Sequence, residues 1–152
     1  MEKQLIYHFM NDDELLRISN KIKEMEKTTA GEICVSIKEK RSLFEKRKSM
    51  RELAEKEFFK LGVANTRDKT GILIFLLLAD RSFYILADSG INTKVTQETW
   101  DNIKNDIQKK FARGEFCKGI LHGVEEVGKI LRKHFPIRAD DTDELSNRIN
   151  LD

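Results

Sequence analysis

The chain has 152 residues, 39% of them hydrophobic and 36% charged, which supplies one compact core and is too short for two ordinary domains. Lys and Arg number 28 against 26 Asp and Glu, a net charge of +2, so no global field draws the chain to nucleic acid or to a membrane. The longest apolar run, Ile72 to Ala79, falls well short of the roughly 18 residues needed to cross a bilayer, and Met1 to Leu5 carries no signal-peptide pattern.

Asn11 stands three residues before Glu14, and Leu15, Ile18, Ile22 and Met25 then recur at helical spacing, which predicts a capped amphipathic helix over about 12–27. After the breaker Thr28-Thr29-Ala30-Gly31, apolar Ile33, Val35 and Ile37 alternate with Cys34, Ser36 and Lys38 as a first strand. The stripe Met50, Leu53, Ala54, Phe58, Leu61 predicts one long, charged second helix from Leu43 to Leu61, stopped by Gly62. A polar loop, Asn65 to Gly71, leads into a run without alternation, the pattern of a strand covered on both faces. Ala79-Asp80-Arg81 is too short for a crossover, so Phe83 to Ala87 returns as the antiparallel arm of a hairpin.

Asp88-Ser89-Gly90 breaks that strand, and Thr96 caps a third helix that buries Trp100, Ile103, Ile107 and Phe111. Gly114 separates it from a fourth helix carrying Gly119, Gly123 and Gly128, which we read as close approach to the sheet. Pro136 ends the ordered core, placed at about 11–136, and the acidic tail 137–152 is expected to dock loosely. The order α-β-α-β-β-α-α predicts a single domain over 1–152, an α/β fold with a three-layer α/β/α sandwich and a mixed central sheet, its first two strands parallel through a crossover.

Cys34 reads as mid-strand and Cys117 as early in a helix, so both are expected to be buried free thiols rather than nucleophiles or a disulfide. His8, His122 and His134 lack metal-ligand spacing, and no Gly-rich phosphate loop is present. Asp140-Asp141-Thr142-Asp143 follows a proline in a polar tail instead of ending a buried strand, so it reads as a solvated acidic segment. The topology offers more. The starts of strands one and two and the end of strand three share one sheet edge, which brings Glu32, Asp68 and Asp88 toward each other, with Asn65, Ser89 and Asn92 nearby. Hard oxygen ligands drawn from several loops suit calcium, while turn capping accounts equally well for Asp68 and Asp88.

The motifs Ala30-Gly31-Glu32-Ile33, Phe59-Lys60-Leu61-Gly62-Val63, Arg67-Asp68-Lys69-Thr70-Gly71, Asp80-Arg81 and Gly114-Glu115-Phe116, in this order, resemble the TPM domain family, which includes thylakoid-lumen phosphatase-like and photosystem II repair proteins. The resemblance runs from about Leu15 to Phe135, and Ala87 to Val95, Trp100 and His134-Phe135-Pro136 look most like a soluble bacterial branch without an anchor. It implies a Rossmann-like α/β/α sandwich, calcium binding in some members and acid phosphatase activity in the plant lumenal one. Asp68 is carried over as a family position and Asp88 as a feature of this branch.

Three functions follow as expectations. The first is a cytoplasmic binding module for a divalent cation, calcium by donor type, held by Asp68, Asp88, Glu32, Asn65 and Asn92. The second is a metal-assisted phosphomonoesterase with Arg67 as the nearest phosphate clamp. The third is a protein-interaction module using Lys46, Arg47, Lys48 and Arg51, for which a solvated face with Glu45, Glu52 and Glu55 accounts as well.

Overall fold

The computed structural model describes residues 5–137 and 149–151. The chain runs through helix α1 (Asp12–Glu26), strand β1 (Glu32–Lys38), helix α2 (Met50–Lys60), strands β2 (Gly71–Leu77) and β3 (Ser82–Ala87), helices α3 (Ser89–Asn92), α4 (Gln97–Ala112) and α5 (Phe116–His134), and strand β4 (Asn150–Leu151). A 3-10 turn, Ile6–His8, precedes α1 and seals that side of the core with Ile6 and Met10. The Asn11 side chain accepts from the Glu14 amide, and the Glu14 carboxylate accepts from the Asn11 amide, so the capping box read from the sequence starts α1.

The sheet order is β3-β2-β1-β4, with β1 parallel to β2 and to β4 and β2 antiparallel to β3. All seven residues of β2 are buried. Ile72, Ile74 and Leu76, with Ile33, Val35 and Ile37 of β1, pack against α1, α4 and α5, while Leu73, Phe75 and Leu77, with Cys34, pack against Leu53, Ala54 and Phe58 of α2. These are the three layers and the mixed sheet that the element order predicts.

Four local expectations are revised. The second helix does not begin at Leu43, because Leu43–Glu45 forms a separate 3-10 turn and α2 starts at Met50, where the Ser49 hydroxyl accepts from the Glu52 amide. Asp88-Ser89-Gly90 does more than break a strand, since Asp88 caps the short helix α3. The glycines of α5 chiefly admit neighbouring helices rather than the sheet. A Cβ on Gly119 would meet the Phe111 ring at 2.5 Å and one on Gly128 would meet Met25 at 2.5 Å, and only Gly123 also faces a sheet residue, Ile74 at 3.6 Å. In the tail, Asn150–Leu151 pairs with Ser36 and Ile37 as a fourth strand. The acidic segment Asp140 to Asp143 lies outside the described residues.

The loop between β1 and α2 is held by a buried carboxylate. Glu45, 2% exposed, accepts from the Ser42 amide at 2.9 Å and pairs with Lys56 at 3.0 Å and Lys38 at 3.2 Å. Burial alone would push this carboxyl up, but the Ser42 N–H and the two ammonium groups outweigh it and hold it down to about 2. The Arg41 guanidinium donates to the Glu45 and Lys48 carbonyls and to Asp80 at 2.9 Å, tying this loop to the β2–β3 hairpin.

Because the Glu45 carboxyl titrates lower in the folded state than in the unfolded chain, its stabilisation is present above the ordinary carboxylate range and is lost as the pH falls toward about 2. Urea unfolding at stepped pH should show wild type losing stability across that window, and Glu45→Gln should be less stable at neutral pH with a shallower acid slope.

Candidate functional site

Backbone register brings the three polar loops together at one end of the sheet. Glu32 pairs with Gly71 and Ile72 with Ala87, so the starts of β1 and β2 adjoin the end of β3. The Glu32 amide donates to the Thr70 carbonyl, the Asp88 amide to Gly71 and the Gly90 amide to Lys69. The approach is close enough to require glycine, since a Cβ at Gly90 would lie 2.3 Å from the Asp68 carbonyl oxygen and 2.6 Å from that of Lys69. Asp80 sits at the opposite end, paired with Arg41.

The side chains at this edge occupy different environments. Glu32, at 2% exposure, is buried. Asp68 is exposed and lies 3.5 Å from the Arg67 guanidinium. Asn65 is exposed, and Asn92, also exposed, donates its side-chain amide to the Ala87 carbonyl at 2.8 Å, a bond that does not use its side-chain oxygen. Asp88 is half-buried. Its Oδ1 accepts from the Ser89 amide at 2.7 Å, whereas its Oδ2 is shut off from solvent with no hydrogen-bond partner. Among the described residues no group of three His, Cys, Asp or Glu side chains is arranged to hold a metal ion.

Neither thiol is placed as an activated nucleophile. Both are free and buried. Burial, reinforced by the charges of Glu26 and Glu57, pushes the Cys34 thiol up to about 12. Cys117 is raised by burial and then by Glu14, whose carbonyl lies 3.7 Å from its sulfur. His122 Nε2 lies 3.4 Å from Asp106, between α5 and α4. The basic cluster does not share a helix face, because Lys46, Arg47 and Lys48 belong to the loop before α2 and only Arg51, paired with Glu55 at 2.8 Å, lies on the helix. No described helix is long and apolar enough to cross a membrane.

The fold and this edge define an α/β/α sandwich in which polar loops with oxygen donors gather at the open end of a β1-β2-β3 sheet. The TPM domain profile matches residues 7–130, and the chain belongs to that family. Among solved structures it is similar to the BA42 protein of the psychrophilic bacterium Bizionia argentinensis, with 35% identity, a TM-score of 0.84, and 95% of this chain and 96% of that one covered. It shares its fold with the N-terminal domain of a protein from P. gingivalis, at 16% identity, a TM-score of 0.68 and coverage of 86% and 83%. The N-terminal domain of the cg2496 protein from Corynebacterium glutamicum has the same fold at 14% identity, a TM-score of 0.58 and coverage of 80% and 74%. No curated protein matches.

Two outcomes test this arrangement. Gly90→Ala drives a methyl group into two backbone carbonyls, and it should cost about 1–3 kcal/mol in urea unfolding, with amide shifts concentrated over residues 68–71. Both cysteines should react slowly with a thiol reagent in the native protein and rapidly in urea, and fast native labelling of Cys34 would contradict its place between the sheet and α2.

Proposed function

We propose that this TPM domain is a divalent-cation binding module, with the ion taken at the β1-β2-β3 edge by Asp88 and Asp68. The observation that carries this reading is the Asp88 Oδ2, a carboxylate oxygen removed from water without a hydrogen-bond partner. Leaving such an atom uncompensated is costly, and a cation is the natural complement to a desolvated carboxylate. The chemistry of the surroundings fits a hard ion. Besides the two carboxylates, the loops offer the amide oxygens of Asn65 and Asn92, with neither thiolate nor imidazole at that edge, which favours calcium over zinc. Glu32 borders the edge on β1 and would take part only if its buried carboxylate turned toward the ion.

Two carboxylates, without a third arranged beside them among the described residues, imply weak binding completed by water, in the range of low-affinity calcium modules. Bound there, the ion would supply charge neutralisation. The residues themselves do the rest: Asp88 caps α3, Gly90 lets the 88–92 segment lie on the 68–69 carbonyls, and both loops are thereby ordered as one unit.

Adding calcium should shift amides over 65–71 and 88–93 together and raise the melting temperature by mass action. Asp88→Asn keeps the shape and much of the capping while removing the charge, and it should weaken calcium binding by about 10- to 100-fold. Spectra unchanged at millimolar calcium would sink the reading. Phosphomonoester hydrolysis that tracks metal occupancy and vanishes in Asp88→Asn would replace it with the phosphatase.

A further inference from the structure

The end of the sheet away from Asp68 and Asp88 carries an apolar tip in a basic segment of the chain. Leu43 and Phe44, adjacent in the 3-10 turn before α2, are 78% and 91% exposed, the two most exposed large hydrophobic side chains among the described residues. They are not on a slack loop. The next residue, Glu45, is buried on Lys38, Lys56 and the Ser42 amide, and Arg41 clamps the Glu45 and Lys48 carbonyls, so the turn that presents Leu43 and Phe44 is fixed from both sides. Burying the Glu45 carboxylate to hold two apolar side chains in water is a poor arrangement for an isolated protein.

The charge around the tip indicates what it meets. Residues 38–48 contain six Lys and Arg against Glu39 and Glu45, a local net of +4 in a chain whose total is +2, so the rest of the protein is net negative. Lys38 and Arg41 are engaged inside the loop, whereas Lys40, Lys46, Arg47 and Lys48 have no acidic partner among the described residues. The small chain-wide charge averages this segregation away.

We infer that Leu43 and Phe44 form an interfacial docking tip that enters the headgroup region of an anionic lipid surface while Lys40, Lys46, Arg47 and Lys48 pair with the lipid phosphates. The apolar contact is small, since two such side chains offer about 300 Å² where a specific protein interface needs roughly 800 Å² per partner. An exposed tip flanked in the sequence by long cationic side chains suits a deformable, negatively charged medium, in which the aliphatic stems lie along the interface and the charges reach the headgroups. Such docking is peripheral and needs no spanning helix.

The test is co-sedimentation of the full chain with vesicles of mixed phosphatidylglycerol and phosphatidylcholine, beside vesicles of phosphatidylcholine alone, at about 0.1 M salt. Wild type should bind the anionic vesicles and not the neutral ones, and release as salt is raised. Lys46→Gln and Arg47→Gln should each weaken binding by about 5-fold. The double variant Leu43→Ser, Phe44→Ser, whose side chains are outside the core, should keep the wild-type circular dichroism and melting curve yet lose at least about tenfold in vesicle affinity. Failure of wild type to sediment with anionic vesicles would overturn the inference. So would binding that is unchanged in the serine variant, which would leave only charge attraction. Concentration-dependent dimerisation abolished by the serine variant, without vesicle binding, would assign the tip to a second copy of the chain instead.

Discussion

The strand β2 must be covered on both faces, and the remaining architecture answers that demand. Its seven residues have no polar side to turn to water, so a helix layer is required above and below. One layer is supplied by α2, the crossover between β1 and β2, and the other by α1, α4 and α5. With β1 parallel and β3 antiparallel to β2, the loops are sorted to the two ends of the sheet according to chain direction. The 65–71 and 88–92 loops fall at one end, and the β1–α2 loop and the hairpin at the other. Opposite chemistries then accumulate, carboxylates and amides at one end and cations around an apolar turn at the other.

Where local signals and tertiary demand agree, the sequence can be read directly. Asn11 and Glu14 start α1, the unbroken run from Ile72 locates β2, Thr96 caps α4, and Gly62, with φ of +74°, ends the α2 region as its position predicts. The region from Leu43 to Met50 misleads because Leu43, Met50 and Leu53 keep a helical spacing across a break. The corrective signal is nonetheless present, since Ser42-Leu43-Phe44-Glu45 and Ser49-Met50-Arg51-Glu52 are two capping signatures seven residues apart, and a helix restarted that soon is not continuous. Strand β4 leaves no comparable mark, being two residues whose partner lies more than a hundred positions earlier.

The candidate site divides in the same way. That the loops bearing Glu32, Asp68 and Asp88 meet is a consequence of strand direction and follows from the order of elements. How deep each carboxylate sits does not, because depth depends on packing around each loop. Glu32 belongs to a strand whose alternate side chains, Cys34 and Ser36, turn to the α2 face, and Ser36 donates to the buried Glu57 at 2.9 Å. Asp68 lies in a turn before β2 and stays in water. The partnerless Oδ2 of Asp88 and the close backbone approach at Gly90 are both products of tertiary packing, and the residues Asp88-Ser89-Gly90 give no hint of either.

The pairing of Asn150 and Leu151 with Ser36 and Ile37 has a consequence for how the domain is made. During synthesis from the N-terminus, β1, β2 and β3 are all complete long before residue 150 is added, and until then the outer rim of β1 presents open amides and carbonyls beside an apolar strand. Such a rim is a template for a neighbouring chain. The hydrogen bond from the Asn150 side chain to the Ser36 hydroxyl, at 3.4 Å, closes a separation of 114 residues. Asn150 and Leu151 cover that rim at Ser36 and Ile37, so part of the edge of β1 is closed by a segment far away in the sequence.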